Sequence, residues 1–165
     1  MKSLQLMWYL LLNKTKLLKI TILLFQLFSL FFLGLSLHTI VTVSLAVIST
    51  ETFNFTFNVD DSTGDLFVIL DGNLTNNAFL DVTLFFEVAI LNSDGQNIAK
   101  DSTSLNINSR DTAPFAIKLL IPTEMAWSIN LEQNIGTLEL TFTVRTLGDL
   151  VGFTNKMVIL GGDEN

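Results

Sequence analysis

Two hydrophobic periods divide the chain. From Ile20 to Leu37 the sequence is dominated by Leu, Phe and Ile, and no residue from Ile20 to Thr50 carries a full charge at neutral pH. A helix needs roughly 20 such residues to cross about 30 Å of hydrocarbon, so this run predicts a transmembrane helix. Beyond it the pattern repeats every two residues. Val41, Val43, Leu45, Val47, Ser49, Glu51, Phe53, Phe55, Phe57 and Val59 hold odd positions, while Thr42, Ser44, Ala46, Ile48, Thr50, Thr52, Asn54, Thr56 and Asn58 hold even ones. Alternation rich in β-branched and aromatic residues marks a half-buried strand. Lys19 to His38 already supplies about 30 Å at 1.5 Å per residue, so the helix is expected to end between residues 38 and 47. The competing reading runs it to Val47 and starts the strand near Thr50.

The rest of the chain keeps the period of two. Leu66, Val68 and Leu70 alternate up to Asp71-Gly72-Asn73, and Leu80, Val82, Leu84, Phe86, Val88 and Ile90 alternate up to Asn92-Ser93-Asp94-Gly95. These read as strands closed by turns, the second suited to a hairpin because Asp and Gly tolerate positive φ. Short runs follow at Gln96 to Lys100 and Ser102 to Ile107. Phe115, Ile117, Leu119 and Ile121 alternate up to Pro122, which can end a strand but not sit inside a central one. Thr123 to Asn134 reads as a loop with a helical turn. Strand signals return over Leu138 to Val144 and Val151 to Ile159. Seven or eight short strands predict an all-β immunoglobulin-like sandwich, with a closed barrel as the alternative.

Composition agrees with a membrane-bound globule. The 165 residues are 49% hydrophobic and 15% charged, and mean hydropathy is +0.51, too apolar for an ordinary soluble domain. Charge is divided as sharply as period. Lys2, Lys14, Lys16 and Lys19 are the only charges before Glu51, giving +4, whereas the remainder carries −11. Lysines before the span and none directly after it predict a cytoplasmic N-terminus and an exported C-terminal part. The expected organisation is a cytoplasmic and interfacial segment over 1–18, a transmembrane helix and exit segment over 19–47, and an extracytoplasmic sandwich over 48–165. Trp8 and Tyr9 suit the interface on the lysine side, with residues 1–12 lying on the membrane; a frayed terminal tail is the alternative reading. Ser44-Leu45-Ala46 has the small-x-small form that leader peptidases accept. The apolar run, however, exceeds the roughly 7–15 residues of a signal peptide, so a retained anchor is expected.

The stretches LFVILDGNLTNNAFLDVTLFFEVAILNSDGQNIA, residues 66–99, and SRDTAPFAIKLLIP, residues 109–122, resemble the exported β-sandwiches of the WHy (water stress and hypersensitive response) and FxLYD kind. The order of one N-terminal span and one β domain is also similar to the anchored sandwiches of the archaeal archaellum stator. The resemblance implies the fold, and for the WHy kind a stress-protective or ligand-binding module. It brings no catalytic signature.

The chemistry available is narrow. Without cysteine there are no disulfides, thiol nucleophiles or thiolate metal sites. The single histidine, His38, stands at the expected membrane boundary, which removes Ser-His-Asp triads and histidine-ligated zinc. Its expected role is a polar cap on the span, with intramembrane proton handling as the alternative. A glycoside-cleaving pair needs two carboxyls about 5–10 Å apart across a cleft. Asp60, Asp61, Asp65, Asp71, Asp94 and Asp111 all read as turn residues instead, so no enzyme is expected. Asp60, Asp61 and Asp65 place hard oxygen ligands at short spacing and are the candidate Ca²⁺ site, although the EF-hand order is broken by Thr63 and by Asp71 at the twelfth position. An ordinary solvated turn is the plainer reading. Asn54-Phe55-Thr56 and Asn73-Leu74-Thr75 fit the N-glycosylation pattern on the exported side, and Asn13-Lys14-Thr15 fits it on the wrong side.

An exported charge of −11 without a basic stripe excludes nucleic acid and suits solubility or a basic partner. The expected partners are membrane lipid and other envelope or membrane-complex proteins. Strand addition is the natural mode, and Phe53 to Val59 is the candidate edge, against the plainer reading that it is core. Gly34, Ser29 and Ser36 are the small residues through which the span could associate, so a homo-oligomer is admitted. The functional expectation is therefore an anchored structural or interaction subunit, with a stress-protective or Ca²⁺-binding module as the alternative.

Overall fold

The computed structural model describes residues 2–49, 53–92, 94–126 and 137–160, with side chains from residue 14 to residue 159 of these except residue 126. The Trp8 and Tyr9 side chains, and residues 127–134 of the loop expected over Thr123 to Asn134, lie outside the described residues.

Helix α1, Lys2–Ile48, is continuous over 47 residues. Leu-rich, proline-free sequence favours this, and two of the hydroxyls inside it are satisfied locally, whereas those of Thr39 and Ser44 are buried without a partner. Thr21 Oγ1 donates to the Leu17 carbonyl at 3.0 Å and Ser36 Oγ to that of Phe32 at 2.9 Å. Ser49 ends the helix, its N–H donating to the Leu45 carbonyl at 3.1 Å and its Oγ to that of Ala46 at 2.8 Å. These bonds occupy carbonyls that the last turn leaves without helical donors. The chain forms two compact units, Met1–Leu37 and His38–Asn165, and the boundary falls inside α1. Within the first, Leu18, Phe25, Leu30 and Phe31 are all exposed. The 35 residues Lys14–Ile48 have a mean hydropathy of 2.3 in their most apolar window, so α1 is long and apolar enough to cross a membrane. A signal sequence meets the same criterion of length and composition.

The alternation expected from Val41 is not a strand. Residues 41–48 are helical, and the helix ends at Ile48, beyond the window of 38 to 47 and close to the competing reading. Burial follows the helical period. Ile40, Val43 and Val47 are at most 6% exposed and belong to the sandwich core, while Val41, Leu45 and Ile48 face outward. The confusion has a physical source: Thr39 and Ser44 are buried too, and small hydroxyl residues interleaved with valines fit either period.

The second unit adds seven strands among the described residues: β1 Phe53–Val59, β2 Leu66–Thr75, β3 Val82–Leu91, β4 Asn97–Ile107, β5 Thr112–Ile121, β6 Thr137–Thr146 and β7 Val151–Leu160. A single turn, α2, spans Thr123–Ala126. One sheet has the order β1-β2-β5 and the other β4-β3-β6-β7, all pairs antiparallel. Hairpins β1-β2, β3-β4 and β6-β7 stay within a sheet, whereas β5 returns to β2, which makes the fold an immunoglobulin-like sandwich. Inward residues of both sheets meet in a core around Leu70, Leu84, Phe86, Ile117, Leu119, Leu140 and Phe142, all at most 1% exposed. Phe115 stacks on Phe86 at 5.2 Å and meets Phe53 edge-on at 5.6 Å.

Two turn assignments change. Asp71-Gly72-Asn73 does not close a strand, because β2 runs through it to Thr75 and pairs Gly72 with both Phe53 and Phe115. Residues 97–107 form one strand rather than two short ones. Pro114 is accommodated inside β5 because that strand is an edge.

Candidate functional site

The sandwich has four edge strands, and they are built differently. Strands β4 and β5 lie against each other across the two sheets and close one side. β4 carries Lys100 and Asp101 and a register irregularity against Ile90/Leu91. β5 carries Pro114 and Lys118, whose Nζ lies 3.7 Å from the Phe67 ring centre. β7 carries Gly152 and Lys156 and an irregularity at Leu138/Glu139. Lys100 and Lys156 reach inward to Glu87 and Glu139 at 2.8 and 2.6 Å. Charges, prolines and bulges of this kind discourage a further strand from pairing on an edge.

β1 has none of them. Its sequence Phe-Asn-Phe-Thr-Phe-Asn-Val has no charge, glycine or proline, and its register against β2 is regular from Phe53 to Val59. Phe53 and Phe55 are half-buried against the core. Phe57 and Val59, on the same core-directed side, remain 47% and 56% exposed. The strand is thus part core and part open edge. Phe153, opposite the buried Val144, is likewise 45% exposed on β7. An edge with unpaired backbone groups and partly uncovered aromatic side chains can accept another strand.

The candidate Ca²⁺ ligands are engaged in a turn. Asp60 accepts at Oδ1 from the Ser62 N–H at 2.9 Å and from Ser62 Oγ at 2.6 Å, which holds its carboxyl below the usual carboxylate range. Asp65 Oδ1 accepts from the Thr123 N–H at 3.0 Å and Thr123 Oγ1 at 3.2 Å, and the backbone bond from Thr123 chiefly lowers its pKa. Gly64 has φ +76°, and a Cβ there would stand 3.0 Å from Thr123 Oγ1, so the turn requires glycine. Asp61 is exposed. Among the described residues no three carboxylates or histidines are grouped as a metal would need. What the arrangement does is fasten the β1-β2 hairpin to the corner after β5.

The other sequence candidates are dispersed. Asn54 and Asn73, exposed, lie on the outer face of the β1-β2-β5 sheet, where Asn54 is opposite Asp71 and Asn73 opposite Pro114. They line a shallow depression of about 450 Å³ with Asp71, Gly72 and Ala116. Asp71 Oδ1 is buried there without a hydrogen-bond partner. Its mid-strand position corrects its reading as a turn residue. His38 is exposed on α1, its ring 5.9 Å from that of Phe79, which also lies 5.5 Å beneath the Arg110 guanidinium.

Sequence reasoning missed Asn76. It is fully buried, its Nδ2 donates to the carbonyls of Leu80, Ile107 and Asn108 at 2.8, 3.3 and 3.2 Å, and its Oδ1 accepts from the Ala78 N–H at 3.1 Å. It ties two loops at one end of the sandwich. An Asn between a strand and an Asn-rich loop carries no pattern that distinguishes such a hub from a turn residue.

No protein-family model matches the chain, and no curated protein matches it. Among solved structures it is similar to a β-glucuronidase of Bacteroides uniformis at 12% identity and TM-score 0.47, over 67% of this chain and 13% of that one. It is similar to a glycosyl hydrolase family 2 member of Bacteroides cellulosilyticus at 12% identity and TM-score 0.43, over 68% and 15%. A protein from Archaeoglobus fulgidus is similar at 7% identity and TM-score 0.40, over 67% and 96%. The chain spans only 13–15% of the length of the two hydrolases. At these identities and scores nothing about activity follows.

Proposed function

We propose that this chain is a membrane-anchored, extracytoplasmic interaction subunit: α1 is a retained span with its lysine-rich end in the cytoplasm, and the sandwich docks another protein of the cell envelope. The observation that carries the reading is β1, an uncharged and unobstructed edge strand on a domain joined to a span-length apolar helix. Charge placement supports the orientation, because the four lysines precede the apolar run and the exported part is strongly acidic. Backbone pairing along β1 supplies affinity, and Phe57 and Val59 supply apolar contact. The role requires no catalytic step and no cofactor.

The test uses the absence of native cysteine. A Ser102→Cys chain in intact cells is expected to react with a membrane-impermeant maleimide, while Lys14→Cys is protected until the membrane is opened. The intact chain, solubilised in detergent, is expected to travel with a second polypeptide or a second copy. Protection of Ser102→Cys would overturn the orientation. A labelled domain that purifies strictly alone would overturn the interaction role.

A further inference from the structure

Resting on that interaction reading, we infer that the occupant of the β1 edge is a second copy of this chain, paired β1 to β1 about a two-fold axis through Thr56. The sequence of the strand is nearly palindromic. When Phe53–Val59 is laid antiparallel on itself about Thr56, Asn54 meets Asn58, Phe55 meets Phe57, Phe53 meets Val59, and Thr56 meets Thr56. Polar therefore faces polar and apolar faces apolar: amide on amide and hydroxyl on hydroxyl along the outer face, and along the core-directed face ring on ring at Phe55 and Phe57 and ring on aliphatic at Phe53 and Val59.

Isologous pairing demands this self-complementarity, since a two-fold interface uses one patch twice. Directly opposed aromatic pairs and hydroxyl pairs are the stabilising cross-strand combinations, and like charges are the destabilising one; β1 offers the former and lacks the latter. The other three edges lack the symmetry and carry Lys100, Asp101, Pro114, Lys118 or Lys156 in the path of a second strand. Burial points the same way. Phe55 is half-covered by its own domain, whereas Phe57 is 47% exposed, and the two-fold brings the Phe55 of one copy onto the exposed Phe57 of the other. The result is a continuous six-stranded sheet, β5-β2-β1 of one copy followed by β1-β2-β5 of the other.

Single cysteines in the full-length, otherwise cysteine-free chain test the register. Opposed residues of an antiparallel pair have Cα atoms about 4.5–5.5 Å apart, within disulfide range. Thr56→Cys is therefore expected to form a disulfide dimer on mild oxidation, in detergent and in native membranes. Asn54→Cys alone and Asn58→Cys alone fall about 13 Å from their own copies and are expected to give about tenfold less dimer. Asn54→Cys mixed with Asn58→Cys restores it. Thr56→Lys and Thr56→Asp, both at an exposed position, are each expected to be monomeric while still unfolding cooperatively, and their mixture to be dimeric. Equal crosslinking of all three single cysteines overturns the register. A folded, monomeric wild type overturns self-pairing; if Thr56→Cys then crosslinks to a different envelope protein, the interaction reading survives the failure, and if it crosslinks to nothing, both fall.

Discussion

Helix α1 is one element in two environments. From Lys14 to Phe31 its side chains are exposed on every side, with Leu18, Phe25 and Phe31 each at least 60% accessible, and cover begins only at Phe32, Leu35 and the buried Ser36. From His38 onward only one stripe is buried, through Ile40, Val43 and Val47, and it forms part of the sandwich core. A helix apolar all round has no preferred face and needs an apolar solvent, whereas a striped helix has a protein partner. The lesson is that the apolar run and the fold share a helix, and that its last turns belong to the domain.

The most severe way to break the comparison is truncation. A chain beginning at His38 is expected to be soluble and to unfold cooperatively. A chain beginning at Thr50 loses three buried side chains worth about 1.5–3 kcal/mol each, and is expected to be largely unfolded at 25 °C by circular dichroism. Next is a charge placed on each side of the boundary. Val47→Asp leaves an unpaired carboxylate in the core and is expected to cost the domain more than about 3 kcal/mol in denaturant unfolding. Leu30→Asp should leave that transition unchanged and instead weaken membrane insertion by about 2.5–3.5 kcal/mol, read by carbonate extraction.

A smaller effect has the opposite sign. Thr39 Oγ1 is buried without a hydrogen-bond partner, so Thr39→Val removes an unsatisfied group and is expected to raise stability by about 1 kcal/mol. Thr21→Val, where the hydroxyl already donates to Leu17, should leave the domain's melting temperature unchanged.

The mildest prediction concerns acid. No carboxylate precedes Glu51, so the acid response belongs to the sandwich. Asp60 and Asp65 have lowered pKa values in the folded state, from the hydrogen bonds of Ser62 and Thr123. The unfolded chain then takes up protons first, so the stabilisation is full above the ordinary aspartate value of about 3.9 and is lost as pH falls through the lower folded values. Melting curves should show a small drop below about pH 4. Asp65→Asn, which keeps an acceptor oxygen for Thr123, should flatten it.

Much of this fold was legible in the chain. Strands from Phe53 onward announce themselves because one face meets core and the other meets solvent, so Leu138, Leu140, Phe142 and Val144 alternate with Glu139, Thr141 and Thr143. The Asp60–Asp65 turn was visible as a turn, but Thr123 was not, because the bond to Asp65 joins residues 58 apart. Asp71-Gly72-Asn73 was misread because turn formers inside an outer-facing strand look like turn formers at its end. The edge position of β1 was a guess from composition. Only the sheet order made it an edge, and only burial divided it into a core half and an open half.

Sequence by itself determined the span-length apolar helix, the charge division and the all-β character, since each depends on local composition and on period. Tertiary structure decided where that helix becomes part of the core, which strands are edges, and which of them stands unguarded. Those are relations between distant residues, and a Val at position 43 or 47 is the same residue whether lipid or a sheet lies beside it until packing fixes its neighbours.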